Sequence, residues 1–325
     1  MTAFIIRRLL QSVIVVLVMS FIVFVGVNLV GDPVAMMVSD EAPQAEREKV
    51  IHAMGLDQPW YVQYERFVAG AVRGDLGKSF VYGEPAIKII VTHMPATFEL
   101  AFAALFLALV IGIPLGVYAG LRPDGWISKS IMAGSILGFS LPTFWVGLMM
   151  IMVFAVMLGW LPSTGRGTTV DVLGVDVSFL TLDGLRHLVM PALNLALFKI
   201  SLVIRLARAG TREAVLQDYI KFARAKGLSP ARIVLVHLMK NIMIPVVTVV
   251  GLEFGGLIAF SVVTESVFAW PGMGKLIIDS IQRLDRPVIV AYLMIIVLVF
   301  VVINLVVDVL YSLLDPRVRL GEAAS

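Results

Sequence analysis

The chain has no cysteine and few charged side chains, and both shortages narrow the kinds of protein it can be. The absence of cysteine excludes disulfide bonds, thiol catalysis and cysteine-ligated metal. Charged residues make up only 15% of the 325 residues, against about 25% in soluble domains. The few histidines lack the spacing of metal ligands, and each is interpreted as an interfacial polar residue: His52, His93, His187 and His237.

Hydrophobic residues, in contrast, are abundant. They form 59% of the chain, and the mean hydropathy is +0.94. This composition is typical of a polytopic membrane protein, and the length suits one integral unit of about six spans. The net charge of +3 is small and unevenly spread. It therefore indicates orientation in the membrane rather than binding to nucleic acid.

Six apolar runs are long enough to cross a bilayer. They cover about residues 9–31, 95–121, 131–158, 187–206, 242–268 and 288–310. The first has no cleavage site of the secretory type, so we expect a retained helix whose N-terminus lies inside. Pro142 predicts a kink in the third span. In the second, Gly112, Gly116 and Gly120 form a small-residue face that suits close helix contact, either within the chain or with another subunit.

The loops between these spans follow the positive-inside rule. The basic residues on the predicted inner side are Arg7, Arg8, Arg122, Lys129, eight Lys/Arg between Arg205 and Lys240, Arg317 and Arg319. The outer loops are acidic or nearly neutral. An all-α protein with six transmembrane helices and both termini cytoplasmic is therefore predicted.

The outer loops carry little sign of chemistry. Residues 32–95 predict a charged helix over 44–54 and an aromatic-rich interfacial helix over 58–68, which we interpret as a lid and anchor rather than a substrate site. The Gly77-Lys78-Ser79 triplet is not a phosphate-binding loop, because Val72 stands where that loop needs glycine. Residues 161–186 carry a weak hairpin pattern. Because the sequence has no phosphate-binding loop, any ATP hydrolysis must come from a partner.

The most charged stretch, residues 205–245, predicts two helices joined by a sharp turn. Gly227 can end the first helix with a positive φ. Ser229 can cap the second, and Pro230 suits its first turn. A basic loop that only fixes topology and touches anionic lipid would explain the charges, but it would not require this turn.

This stretch resembles the cytoplasmic coupling loop of dipeptide/oligopeptide permeases of the ATP-binding-cassette importers. The matching segments are ARAKGL at 223–228, FAWPGMG at 268–274 and LLDPR at 313–317, together with GLDQPWYVQYERF and GDLGKSF in the first outer loop. The general importer signature is met only in part. Lys221 stands at its glutamate position and Lys240 at its proline position, and the nearest proline is Pro245.

The resemblance implies a type I importer permease fold, with an N-terminal helix (1–31), an external loop (32–95) and a five-helix core (96–325) holding the coupling loop 207–241. It implies a second similar permease, two ATPases, an extracytoplasmic binding protein and membrane lipid as partners. ATP and magnesium would bind the ATPases, with no cofactor or catalytic residue in this chain. The residues expected to couple to the ATPase are Asp218, Tyr219, Ala223, Arg224, Ala225, Lys226 and Gly227.

Charged residues inside the spans are further candidates, since a charge at mid-membrane costs about 2.5–3.5 kcal/mol. Lys199 and Glu253 are expected either to line the translocation path or to pair structurally with each other. Glu265 matches the family pattern TESVFAWPG and is also placed on the path. The resemblance marks an outer gate at Trp270, Pro271 and Gly272.

The implied function is ATP-driven import of di- or oligopeptides by alternating access, in the inner membrane of a prokaryote. Two alternatives stay open. Related permeases carry nickel, glutathione or oligosaccharide. In another class, Lys199 and Glu253 would serve an ion-coupled secondary transporter.

Overall fold

The structure is a computed structural model that describes residues 2–29, 43–54 and 56–314. Its regular elements are helical apart from one small hairpin, as the all-α prediction requires. The helices are α1 (Thr2–Leu29), α2 (Gln44–Met54), α3 (Trp60–Val72), α4 (Ala86–Leu121), α5 (Trp126–Ser140), α6 (Thr143–Met150), α7 (Leu182–Val215), α8 (Asp218–Ala225), α9 (Pro230–Arg232), α10 (Met239–Val267), α11 (Met273–Gln282) and α12 (Arg286–Leu314). Two π-helical segments, π1 (Ile151–Met157) and π2 (Ile233–Leu238), continue α6 and join α9 to α10.

The chain divides into two compact units. One contains Met1–Thr92 with Ile277–Val302, and the other contains His93–Leu276 with Ile303–Ser325. The first unit includes the contact between α1 and α3, which joins Ser20 to Tyr64 by a hydrogen bond of 2.8 Å. Helices α2 and α3 lie where the two helical patterns of residues 32–95 predict them.

The second unit is built around α7, against which α5, α6 and α10 pack. The Thr181 hydroxyl caps α7 by accepting from the Gly184 N–H at 2.9 Å. The helix has 34 residues and is about 51 Å long at 1.5 Å per residue. It is longer than the span predicted at 187–206, so the start of the segment 207–241 is helix rather than loop.

The glycine face of α4 contacts α7 within the chain. A Cβ on Gly116 would lie 2.6 Å from the Ile204 carbonyl oxygen and 2.7 Å from the Ala207 Cβ. Gly112 and Gly120 are as tightly apposed, to Val203 and Thr211. Of the two contacts that the sequence allows, the structure shows the intrachain one.

Among the described residues, four helices are long and apolar enough to cross a membrane, and the number rises to six if each of two bent pairs is one span. The spans within them are Ile6–Gly26, Ala86–Leu121, Leu182–Val215 and Arg286–Val309, with the pairs Trp126–Ser140 + Thr143–Met157 and Pro230–Met243 + Pro245–Gly251. The break at Pro142 is much sharper than the predicted kink, since the helix direction bends by 107° between the two segments.

The weak hairpin pattern of the second outer loop is confirmed. Strands β1 (Val170–Val172) and β2 (Val175–Val177) pair antiparallel. Leu173 and Gly174 form the turn between them, with φ values of 57° and 83°. Two successive positive φ angles are typical of the tight turns that join such strands.

The α4–α7 contact leads to a packing prediction. We expect Gly116→Leu to lower the yield of folded protein and its thermal stability, because overpacking a tight contact costs about 1–3 kcal/mol. The matched control is Gly134→Leu, since a Cβ on Gly134 meets nothing within 4 Å. Fluorescence-detected size-exclusion chromatography after a heating series measures both variants. Equal stability of the two would contradict the contact.

Candidate functional site

The predicted coupling residues form one short helix and the turn after it. Helix α8 ends at Ala225, and Gly227 follows with a φ of +74°. The Ser229 hydroxyl then accepts from the Arg232 N–H at 3.4 Å, and Pro230 begins the next helical segment. Helix, glycine turn and serine cap therefore lie where the sequence predicts them.

Helix α8 is amphipathic, and its apolar side fixes it to the bundle. Ile220 and Ala223 are buried in a cluster that includes Val203 of α7, with Ile233 and Leu238 of π2. The opposite side carries exposed Asp218, Lys221, Phe222, Arg224 and Lys226. The helix thus presents a charged outer face while its inner face packs against α7 and π2.

Three contacts hold the outer face in place. The Asn241 side-chain amide donates to the Tyr219 hydroxyl at 2.5 Å, and the Lys226 ammonium lies 4.6 Å from the centre of the Phe222 ring. Lys221 donates to Asp218 at 2.8 Å. This hydrogen bond, together with the positive charge of Lys221, lowers the pKa of Asp218 below its usual value, so the carboxylate is ionised at neutral pH.

Lys199 and Glu253 form an ion pair between α7 and α10. Lys199 lies near the middle of α7 and its side chain is 10% exposed, whereas that of Glu253 is 40% exposed. The Lys199 ammonium also lies 5.1 Å from the centre of the Phe198 ring. The two charges that the sequence singles out therefore neutralise each other within the second unit.

Glu265 is fully buried at the outer end of α10. Its carboxylate accepts from the hydroxyls of Thr97 and Ser261, each at 2.8 Å, and from the Lys275 N–H at 3.0 Å. A Cβ on Gly274 would lie 2.9 Å from the same carboxylate. Glu265 thus holds the turn at 268–274 against α4. Its place on the translocation path stays a prediction.

The residues placed at an outer gate lie in this turn. Trp270 is fully buried, and its indole N–H donates to the Ala96 carbonyl oxygen at 2.8 Å. Pro271 is exposed, and Gly272 packs against the Glu265 carboxylate. Their role as a gate stays a prediction. The structure shows a turn locked to α4 by a buried ring and a buried carboxylate.

A second buried carboxylate, Glu99, lies on α4, and the sequence alone identifies no partner for it. Glu99 of α4 accepts from Arg166 Nη2 at 2.5 Å and Nε at 3.0 Å, and from the Ser178 hydroxyl and N–H at 2.7 and 2.8 Å. It thereby fixes the hairpin loop to α4. The sequence could have suggested this pair, because a buried acid needs a counter-ion. Arg166 is one of two arginines in that outer loop.

The comparisons with known proteins place the chain in a family. Residues 112–320 match the family of binding-protein-dependent transport system inner membrane components. Residues 1–101 match the N-terminal region of such membrane components. The chain belongs to this family. The expected resemblance to importer permeases is therefore confirmed, and the permease is a multi-pass inner-membrane protein of a prokaryote.

Curated relatives match the permease along almost its whole length. It is 39% identical to Di/tripeptide transport system permease protein DppB of Pseudomonas aeruginosa, over 98% of this chain and 99% of that protein. It is 39% identical to Oligopeptide transport system permease protein AppB of Bacillus subtilis, over 98% and 100%. Glutathione transport system permease protein GsiC of Escherichia coli is 37% identical, over 98% and 99%.

Solved structures agree in fold. A chain of the MetNI methionine ABC transporter in an inward-facing conformation matches with a TM-score of 0.55 and 19% identity, over 70% of this chain and 96% of that chain. A second crystal form gives 0.54. The likeness at this identity is one of fold, and it confirms the importer permease fold that the sequence predicts.

The Lys199–Glu253 pair leads to a stability prediction for the permease. We expect Glu253→Met to lower folded yield strongly, because a buried charge left unpaired costs about 3–5 kcal/mol. Lys199→Met should cost less, since Glu253 is the more exposed partner. The double variant should recover most of the yield. Detergent-extracted yield and melting temperature measure this. A double variant as unstable as Glu253→Met would contradict a stabilising pair.

Proposed function

We propose that the permease is a membrane subunit of an ATP-driven importer of di- or oligopeptides. The observation that carries this proposal is the 37–40% identity, along 97–98% of the chain, to permeases named for peptide transport. The geometry of α8 supports it, because a charged helix fixed to the bundle by one face is suited to receive motion from another protein. The permease itself supplies no catalytic residue.

In the proposed mechanism, α8 with Lys226 and Gly227 docks on an ATPase subunit. Ile220 and Ala223 tie α8 to α7 and π2, so displacement of α8 moves the helices that carry Lys199 and Glu253. The bundle would alternate between openings to the two sides of the membrane. Glu265 and Trp270 would hold the outer turn, with Pro271 and Gly272, against α4 when the outer side is closed.

The proposed assembly contains a second, similar permease, two ATPases and an extracytoplasmic substrate-binding protein, all surrounded by lipid. ATP and magnesium would bind the ATPases. The family description, which names binding-protein-dependent transport, supports the binding protein. The need for an energy source supports the ATPases, since the triplet at 77–79 is not a phosphate-binding loop and Val72 replaces the required glycine.

One alternative substrate has an observation in its favour. The permease is 37% identical to a relative named for glutathione transport, close to its identity with those named for peptides. Glutathione is itself a short peptide carrying free ammonium and carboxylate groups. It therefore belongs among the substrates to be tested, beside di- and oligopeptides.

The test of the proposed function is purification of the tagged permease from native membranes in mild detergent. We expect a second permease, ATPases and a binding protein whose extracted ligand is a short peptide by mass spectrometry. Proteoliposomes of this complex should take up that peptide only with ATP and magnesium. Recovery of the permease alone, with uptake that follows a proton gradient, would favour the ion-coupled transporter instead.

The turn after α8 gives a prediction about coupling. We expect Gly227→Asp to leave the permease inserted and folded while abolishing ATP-coupled uptake. The space around the Cβ position of Gly227 is open, so the side chain fits, and its φ of +74° adds only a local backbone cost. A docked ATPase would meet both a changed turn and a new negative charge.

The matched control is Gly174→Asp in the outer hairpin. Gly174 also has a positive φ, of 83°, and nothing within 4 Å of its Cβ position. Both variants therefore bear a similar backbone cost, of about 1–2 kcal/mol. Uptake and ATPase stimulation are measured for each in proteoliposomes. Normal uptake by the Gly227 variant would exclude docking at this turn.

A further inference from the structure

The ion pair between Lys199 and Glu253 differs from the other buried charges of the second unit. Glu99 and Glu265 each accept several hydrogen bonds and are shielded from solvent. Glu253 is 40% exposed. Among the residues that the structure describes, its carboxylate has one hydrogen-bond partner, Lys199, which it contacts through Oε2. The pair is therefore incomplete as a purely structural element.

The exposed carboxylate cannot face lipid. Glu253 lies near the middle of α10, and ionisable groups within spans face the bundle interior or a water-filled cavity. The side of α10 that carries Glu253 is therefore a surface that water or a polar molecule reaches. Lys199 lies deeper, so a molecule arriving at the pair meets the carboxylate first.

A glycine leaves the charged ends of the pair open. A Cβ on Gly256 would lie 3.8 Å from Glu253 Oε2 and 3.9 Å from the Lys199 ammonium, and among the described residues it would meet nothing else within 4 Å apart from its chain neighbours and the backbone of its own helix. Any larger residue would cover both groups. One exposed aromatic ring flanks the site, because the centre of the Phe198 ring lies 5.1 Å from the Lys199 ammonium.

We propose that Lys199 and Glu253 form a transient substrate site that selects a free ammonium group, a proposal that rests on the import of peptides. A zwitterionic peptide brings one ammonium and one carboxylate. Its ammonium takes the place of Lys199 on Glu253, and Lys199 receives its carboxylate. Every charge at mid-membrane keeps a partner of opposite sign during this exchange, so the cost of burying an unpaired ion is avoided. The exposed Phe198 ring contacts an apolar side chain of the substrate.

The test compares two forms of one dipeptide, free and N-acetylated, in proteoliposomes of the complete importer. The binding protein is loaded to equal occupancy with each form, so its own selectivity cancels. We expect the wild-type permease to take up the free form about tenfold faster. The free energy of a hydrogen bond to a charged group corresponds to a factor of about ten or more. Glu253→Gln should bring the ratio of rates close to one. Glu84→Gln, an exposed acid paired with Lys88 in the external loop, should keep the wild-type ratio.

A second measurement does not depend on the acetylated form. A free dipeptide with a photoreactive side chain is crosslinked in the loaded importer, and the labelled fragments are identified by mass spectrometry. Label should appear around Phe198 in the wild-type permease and fall several-fold in Glu253→Gln. Gly256→Ala keeps both charges and fits at ordinary contact distance. It should lower the same label by covering the pair.

The outcomes separate this proposal from the proposed function. Peptide uptake by the wild type with an unchanged ratio and unchanged label in Glu253→Gln would overturn the ammonium site and leave peptide import standing. Absence of ATP-dependent uptake of any peptide by the wild-type importer would overturn peptide import itself.

Discussion

The structure depends on one constraint, the cost of placing charge and unpaired polar groups in a low-dielectric membrane interior. Three carboxylates of the second unit meet this cost in different ways. Glu265 is satisfied by hydroxyls and backbone N–H groups, and Glu99 by an arginine and the backbone of the outer hairpin. Glu253 shares its charge with Lys199 alone among the described residues and stays open on one side. The first two arrangements fix loops to α4, and the third leaves the Glu253 carboxylate partly exposed.

In the proposed mechanism, force transmission and substrate contact fall on the same helices. Helix α7 carries Lys199 near its middle and contacts α8 and π2 near its cytoplasmic end. Helix α10 carries Glu253 and continues π2. A change in the position of α8 therefore reaches both halves of the ion pair through continuous or directly packed helices, without crossing a flexible loop. The glycine face of α4 fits α7 closely and leaves little room for slippage between these two helices.

Much of this could be predicted from the sequence because the signals were local. Gly227, Ser229 and Pro230 fix a turn whatever surrounds them, and apolar run length fixes the number of spans. The break at Pro142 was found, but its 107° angle was not, because a proline shows where a helix weakens and its neighbours set the direction. The Glu99–Arg166 pair joins residues far apart in sequence, so spacing could not reveal it. The LLDPR segment at 313–317 extends beyond the described residues after Leu314.

The sharp break at Pro142 has a consequence for how the protein is made. Helix α5 has 15 residues, about 22 Å at 1.5 Å per residue, which is short of the roughly 30 Å hydrocarbon core. Neither α5 nor the segment after the break can therefore leave the insertion machinery as a straight transmembrane helix. Both pack on α7, and α6 also packs on α10, elements that the ribosome delivers later. Residues 126–157 therefore cannot complete their packing until α7 and α10 have been synthesised. This part of the bundle completes its folding only near the end of synthesis.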